Sequence, residues 1–221
     1  MTRELNGAHV VVVGATGVLG ASIAQQLTAA GARVSAIVRD HTRLDGASVA
    51  QYALADVTDH VAMHTAFASV APFDGVVNAT GVVAFGNVAE LDGATLARLF
   101  AVNAIASILM LRESAAHIAD GGFFVNLSGV VATQPVAGMA AYSASKAAAW
   151  AAMGAVAREL RRRRIDVIDA RPPHTETGLA TRPIAGQAPK FSQGLAPSVV
   201  ASRIVAAIAA GERDLPVEAF L

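Results

Sequence analysis

The sequence contains no cysteine, few aromatic residues and few charges. The absence of cysteine excludes a disulfide framework, a thiolate nucleophile and a cysteine-ligated metal site. Charged residues make up 15% of the 221 positions and hydrophobic residues 54%, so most of the chain is too apolar to be intrinsically disordered. Its 17 basic residues balance its 17 acidic residues, so the chain lacks the basic field that nucleic-acid binding usually requires.

Two apolar stretches resemble targeting or membrane segments without fitting either role. The run Val10–Val13 follows mixed charges and passes directly into a patterned helix, unlike the core of a signal peptide. The stretch Ala147–Ala157 is far shorter than the ~20 residues that a membrane span requires. We therefore expect a soluble, cytoplasmic protein with no membrane or nucleic-acid partner.

Short runs rich in β-branched residues alternate with longer stretches of helical periodicity. Strands are predicted at His9–Val13, Arg33–Val38, Val49–Leu54, Asp74–Val77, Phe123–Leu127, Ile165–Ala170 and Leu215–Phe220. Helices are predicted at Val18–Ala30, Thr58–Ser69, Ala94–Ile118, Ala140–Arg164 and Ser198–Ala210. This order is typical of an α/β fold, a Rossmann-like doubly wound parallel sheet of about seven strands in one domain. The irregular segment 171–197 is too long for an ordinary connection, and we expect a substrate loop there.

Three glycines with the spacing Gly14-x-x-Gly17-x-x-Gly20 lie between the first strand and the first helix. Glycines at this place permit a tight turn, a close backbone approach to a ligand and close packing of helix on strand. The helix N-terminus then offers free N–H groups to a pyrophosphate. The pattern favours dinucleotide binding, and the alternative is a glycine-rich turn with no ligand.

The end of the second strand bears on which dinucleotide is bound. An acidic residue often follows this strand in NAD-binding units, whereas Val38 and Arg39 stand here. The guanidinium of Arg39, with Arg43 nearby, suits a 2′-phosphate, which favours NADP(H) over NAD(H). Asp40 is a complication because it can pair with Arg39 or repel the phosphate. The alternative for Arg39 is a solvated surface residue.

Tyr142 and Lys146 are four residues apart at the start of a predicted helix, so both lie on one face. A tyrosine at its reference pKa of ~10 is a poor acid–base catalyst at neutral pH. A nearby ammonium lowers that pKa by stabilising the phenolate. The pair is therefore a candidate proton donor or acceptor for a carbonyl/alcohol couple, although such pairs also occur by chance.

Taken together, four motifs resemble the short-chain dehydrogenase/reductase family over roughly residues 7–219. They are the Gly14–Gly20 loop, Asn78-Ala79-Thr80-Gly81 after the fourth strand, Asn103 in a long helix, and Tyr142-Ser-Ala-Ser-Lys146. The resemblance implies a Rossmann fold, a nicotinamide cofactor and hydride exchange with a small carbonyl or alcohol substrate. It also implies a homodimer or homotetramer formed through the Ala94–Ile118 and Ala140–Arg164 helices.

The resemblance also implies roles for individual residues. Tyr142 would be the catalytic acid–base, Lys146 would hold the nicotinamide ribose and lower the tyrosine pKa, and Asn103 would support a proton relay. The implied cofactor contacts are Gly14, Thr16, Gly17, Val18, Leu19, Gly20, Arg39, Asp56, Val57, Asn78, Ala79, Thr80, Gly81, Tyr142, Lys146, Pro172 and Thr177. No metal site is implied, and the i, i+4 pair His60 and His64 lacks a third ligand.

The catalytic serine departs from the family pattern. The family places it thirteen residues before the tyrosine, where this chain has Gly129, and Ser128 comes one residue earlier. A slip of one residue reverses the side-chain direction on a regular strand, but an irregular strand end can still aim Ser128 at the substrate. The alternatives are that Thr133 or a loop residue substitutes, or that no serine polarises the carbonyl. A cofactor-binding sensor or scaffold without dehydrogenase chemistry is therefore the second hypothesis.

Overall fold

Seven parallel strands form one sheet in the computed structural model, which describes residues 2–44 and 49–221. The strands are β1 (His9–Val13), β2 (Arg33–Val38), β3 (Gln51–Leu54), β4 (Phe73–Asn78), β5 (Ile118–Leu127), β6 (Asp166–Ala170) and β7 (Asp214–Leu215). They are arranged in the order β3-β2-β1-β4-β5-β6-β7. All the pairings are parallel. The order reverses at β1, as in a doubly wound fold, so the predicted α/β class is confirmed.

Helices cover both faces of the sheet. They are α1 (Val18–Ala29), α2 (His60–Val70), α3 (Gly93–Phe100), α4 (Ala106–Ala115), α5 (Ala140–Glu159) and α6 (Pro197–Ala210). One apolar core joins α1 and α6 to one face of the sheet. A second core joins α2, α4 and α5 to the opposite face. The five residues of β1 are all buried because both faces of this central strand are covered.

Several predicted elements differ from the structure in their bounds: β5 begins at Ile118 instead of Phe123, and α5 ends at Glu159 instead of Arg164. The helix expected over Ala94–Ile118 is interrupted by a π-helical turn at Ala101–Ile105 and ends at Ala115. The final strand is only Asp214–Leu215, since Pro216 has no N–H to continue the ladder and a short 3₁₀ turn follows. The helical stretch Gly93–Ala115 is long and apolar enough to cross a membrane by length and composition, and here part of it is buried against the protein.

The segment 171–197 is irregular, as expected, but its backbone is anchored at several points. The Ile184 amide donates to the Val83 carbonyl at 2.8 Å, and the Phe85 amide donates to the Ala185 carbonyl at 3.0 Å. Farther along, the Leu195 amide donates to the His174 carbonyl at 2.9 Å. The first two of these hydrogen bonds tether the segment to the residues that follow β4.

Candidate active site

A cleft of about 560 Å³ lies along the carboxyl edge of the sheet. The residues that follow β1, β2, β4 and β5 all line it, as does the start of the segment after β6. Parallel strands bring these connections to one edge, which is where ligands bind in doubly wound folds. The cleft therefore joins the glycine loop, the Tyr142 helix and the anchored segment 171–197 in one continuous site.

The glycine loop has the geometry of a phosphate cradle. Gly14 adopts a φ of +88°, and a Cβ there would lie 2.9 Å from Cγ2 of Thr80. A Cβ at Gly20 would lie 2.3 Å from the Gly14 carbonyl oxygen, so helix and turn pack too closely for a side chain. Gly17 caps α1 without any side-chain hydrogen bond. The helix N-terminus is therefore open toward the cleft and fits a pyrophosphate.

Cationic side chains gather at the end of the cleft nearest β2. Arg39, Arg43 and Arg98 line it there together with Asp56, the only acidic lining residue in the described part of the chain. The Arg39 side chain is 67% exposed, and its Nη1 lies 3.9 Å from Oδ2 of Asp56. Hydrogen bonds from Thr58, with the charges of Arg39 and Arg98, hold the pKa of Asp56 below its usual value. This end offers three guanidinium groups to an anion.

Tyr142 and Lys146 lie in the first two turns of α5 and both line the cleft. Nζ of Lys146 donates to the Leu127 carbonyl at 2.7 Å, and burial lowers the pKa of Lys146 to about 8. Burial raises the pKa of Tyr142 to about 12. Burial of the phenol thus moves the pKa of Tyr142 upward, and the lowering of that pKa expected from Lys146 stays a prediction.

Ser128 lines the cleft, but its hydroxyl is already hydrogen-bonded within the protein. The side chain is fully buried, and Oγ donates to Oδ1 of Asp169 on β6. Gly129, at the position expected for the family serine, adopts a φ of +77°, a conformation that a serine would adopt only with strain. Thr133 is exposed and does not line the cleft. The expectation that Ser128 polarises a carbonyl therefore stays a prediction, and the hydroxyl would have to turn from Asp169 to do so.

Asn103 and Asn78 are buried below the cleft and do not line it. The Asn103 side chain accepts from the Val82 amide and donates to the Val82 carbonyl, both at 2.9 Å. The Asn78 side chain accepts from the amide and hydroxyl of Thr80. Both asparagines therefore shape the loop after β4. This differs from the cofactor contact expected of Asn78, while the proton relay expected of Asn103 stays a prediction.

The other expected cofactor residues line the cleft. They are Gly14, Thr16, Gly17, Val18, Leu19, Gly20, Arg39, Asp56, Val57, Ala79, Thr80, Gly81, Tyr142, Lys146, Pro172 and Thr177. Phe191, within the expected substrate loop 171–197, also lines it, whereas the sequence interpretation missed Arg98 and Phe85. No local motif marks these two, because their approach to the cleft depends on how distant segments pack.

Comparison with known proteins shows which family the chain belongs to. The model for short chain dehydrogenases matches residues 8–187. Galactitol 2-dehydrogenase (L-tagatose-forming) of Cereibacter sphaeroides is 34% identical over 193 residues, covering 81% of this chain and 76% of that protein. The cyclic-di-GMP-binding biofilm dispersal mediator protein of Escherichia coli is 30% identical, covering 80% of this chain and 78% of that protein. A Burkholderia cenocepacia short chain dehydrogenase in complex with NADP is 27% identical with a TM-score of 0.85, covering 97% of this chain and 98% of that one. The chain therefore belongs to the short-chain dehydrogenase/reductase family of oxidoreductases, which act on CH–OH and C=O groups.

Proposed function

We propose that the protein is an NADP(H)-dependent carbonyl reductase of the alcohol dehydrogenase type, acting on a small molecule in the cytoplasm. The observation that carries the proposal is that Tyr142 and Lys146 line the same cleft as the open glycine loop. A nicotinamide oxidoreductase requires both features in one cleft: a loop that holds the dinucleotide and, at the other end, a group that transfers a proton.

The cleft fits a phosphorylated dinucleotide. The glycine loop and the α1 N-terminus would hold the pyrophosphate, and Arg39 with Arg43 and Arg98 would hold the 2′-phosphate. Val38 ends β2 without a carboxylate for a ribose diol, which favours NADP(H) over NAD(H). The bound NADP of the Burkholderia cenocepacia relative supports the same choice. When bound, NADPH supplies the hydride.

Tyr142 would supply the proton in reduction. A phenol with a pKa of about 12 keeps its proton at neutral pH, so Oη is ready to donate to a carbonyl oxygen. Lys146, anchored on the Leu127 carbonyl, would place a positive charge beneath this end of the cleft and favour the phenolate that forms. Alcohol oxidation would instead require the phenol to lose its proton first.

Replacement of the phenol tests the proposal. In Tyr142→Phe, turnover of a carbonyl panel with NADPH should nearly vanish, while the NADPH dissociation constant changes by no more than a few-fold. The matched control is Tyr52→Phe, because Tyr52 is the other of the two tyrosines and its ring is stacked on that of His41, 4.9 Å between centroids, away from the cleft. Full activity in Tyr142→Phe would overturn the mechanism.

A cofactor-binding sensor or scaffold is the second candidate function. It is favoured by the engagement of the Ser128 hydroxyl with Asp169, because that hydroxyl is then not aimed at a substrate carbonyl. The similarity to the cyclic-di-GMP-binding protein of Escherichia coli points the same way. Tight NADPH binding without turnover of any compound in a broad carbonyl panel would favour the sensor over the enzyme.

A further inference from the structure

Three aromatic rings form a wall at the end of the cleft that is opposite the arginines. The rings of Phe85 and Phe191 have centroids 6.0 Å apart, and the His174 ring stacks on Phe191 at 4.7 Å with an angle of 25°. All three residues line the cleft. We call Phe85, Phe191 and His174 the aromatic wall.

Two members of the aromatic wall, Phe85 and Phe191, belong to the same apolar cluster as Tyr142. That cluster contains Phe85, Met139 and Tyr142 as buried members, and Phe191 packs against it. Hydrogen bonds tether the backbone of Phe85 to Ala185 and the backbone of His174 to Leu195. A substrate carbonyl that reaches Tyr142 therefore has its remaining atoms beside an aromatic surface.

The polar side chains near the wall are engaged within their own segment. The hydroxyl of Thr175 donates to the Pro173 carbonyl at 2.9 Å, and the hydroxyl of Thr177 accepts from the Leu179 amide at 3.3 Å. Nε of Arg182 donates to the Gly178 carbonyl at 3.1 Å, and Nε2 of His174 lies 3.5 Å from Oε1 of Glu176. These contacts use the Thr175 hydroxyl proton and leave the Thr177 hydroxyl proton and the remaining N–H groups of Arg182, and few other groups of this segment, to bind the hydroxyls of a polyol.

We propose that this site selects flat apolar carbonyl compounds, of the aryl ketone and aryl aldehyde class, over sugar-like substrates. A planar ring gains favourable stacked or edge-on contacts with the aromatic wall. A polyol would lose hydrogen bonds with water there and regain few. The inference deepens the proposed function and rests on it, and it separates this chain from the galactitol dehydrogenase that it resembles.

A pair of ketones with the same carbon skeleton tests the inference. Acetophenone and cyclohexyl methyl ketone differ only in the flatness and saturation of the ring, and L-tagatose represents the polyol class. We expect measurable kcat/KM for acetophenone and little for L-tagatose. In Phe191→Leu, the ratio of kcat/KM for acetophenone to that for cyclohexyl methyl ketone should fall by about 2-fold to 10-fold. Comparing ratios between variants removes the intrinsic reactivity of each ketone.

The control is Phe220→Leu, since Phe220 is buried in the core that joins α1 and α6 to the sheet and does not line the cleft. In Phe220→Leu the ratio of kcat/KM for acetophenone to that for cyclohexyl methyl ketone should equal the ratio in the unmodified protein. If Phe191→Leu does not fold, Phe85→Leu repeats the comparison. An unchanged ratio in both cleft variants, or a preference for L-tagatose, would overturn the inference while leaving the proposed function intact.

A binding measurement separates the two proposals when there is no turnover. Calorimetry with acetophenone, with and without NADP⁺, measures ring binding regardless of chemistry. Binding that weakens in Phe191→Leu but comes with no reduction of any ketone would overturn the proposed function and support the wall as a ring site. Absence of acetophenone binding would overturn the inference.

Discussion

At the scale of single residues, Gly129 and Ser128 show how one backbone angle redirects a side chain. The φ of +77° at Gly129 turns the chain as it leaves β5, and Ser128 is left with its hydroxyl on the buried Asp169. Asp169 also accepts from Asn126 and Arg171, so the serine belongs to a buried polar network. Burial raises the pKa of the Asp169 carboxyl, and the hydrogen bonds from Ser128 and Asn126 oppose that rise. The hydroxyl of Ser128 is thus engaged with Asp169 although the residue lines the cleft.

The pKa values of Lys146 and Tyr142 predict the pH dependence of reduction. Below about pH 8 Lys146 carries its proton, and above it the ammonium is lost, whereas Tyr142 keeps its proton up to about pH 12. If the positive charge assists proton transfer, kcat/KM should be level near neutrality and fall as pH rises through about 8. In Lys146→Arg, whose guanidinium stays charged, that fall should disappear from whatever activity remains. The same alkaline fall in the variant would contradict the assignment to Lys146.

The position of Arg39 in the cleft leads to a separate prediction, which concerns the choice between NADPH and NADH. The substitution Arg39→Asp removes a charge-assisted contact to the 2′-phosphate and adds electrostatic repulsion. NADPH binding should therefore weaken by roughly tenfold or more. NADH binding should change little, because NADH has no phosphate there. Arg162→Asp is the control, since Arg162 is an exposed arginine that does not line the cleft. Equal losses for the two cofactors would contradict NADP(H) preference.

At the scale of elements, the connections that follow the strands build the site. The π-helical turn between α3 and α4 carries Asn103, whose amide holds both backbone groups of Val82. The loop after β4 is thereby fixed beneath Lys146, where a Cβ on Gly81 would lie 3.3 Å from Nζ. The π-helical turn therefore determines the geometry of the loop after β4 through Asn103. Helical periodicity alone did not predict this link.

The anchored segment 171–197 predicts a pattern of amide hydrogen exchange. The amides of Ile184, Phe85 and Leu195 are hydrogen-bonded to other parts of the backbone and should exchange slowly. In the described structure the exposed Gln187 and Lys190 amides donate no such bond and should exchange fast. Exchange measured residue by residue by NMR tests this contrast. Uniformly fast exchange across 171–197 would show that the segment is not anchored.

At the scale of the whole molecule, an apolar surface remains on the helices that follow β4 and β5. Leu96, Ile105 and Ile108 are exposed along α3, the π turn and α4, and Trp150 is exposed on α5. Large exposed side chains on adjacent helices are typical of a surface that a second protein chain covers. The homodimer or homotetramer stays a prediction, and this surface is the candidate interface for it.

The oligomer prediction can be tested with one charged residue. Ile108→Lys places a cation in the middle of this apolar surface and should shift the mass measured by light scattering toward the monomer. Val61→Lys, at an exposed position on α2, is the control and should leave the mass unchanged. A monomeric mass for the unmodified protein, or an unchanged oligomer in Ile108→Lys, would contradict the prediction.

The sequence by itself determined the order of strands and helices, the glycine cradle and the spacing of Tyr142 and Lys146. These are local properties, because hydrophobic periodicity, turn chemistry and i, i+4 geometry depend on neighbouring residues in the chain. Only the tertiary structure decided the direction of Ser128, the raised pKa of Tyr142, the place of Arg98 and the aromatic wall. Each of these depends on burial or on contact between segments far apart in the chain, which no local pattern specifies.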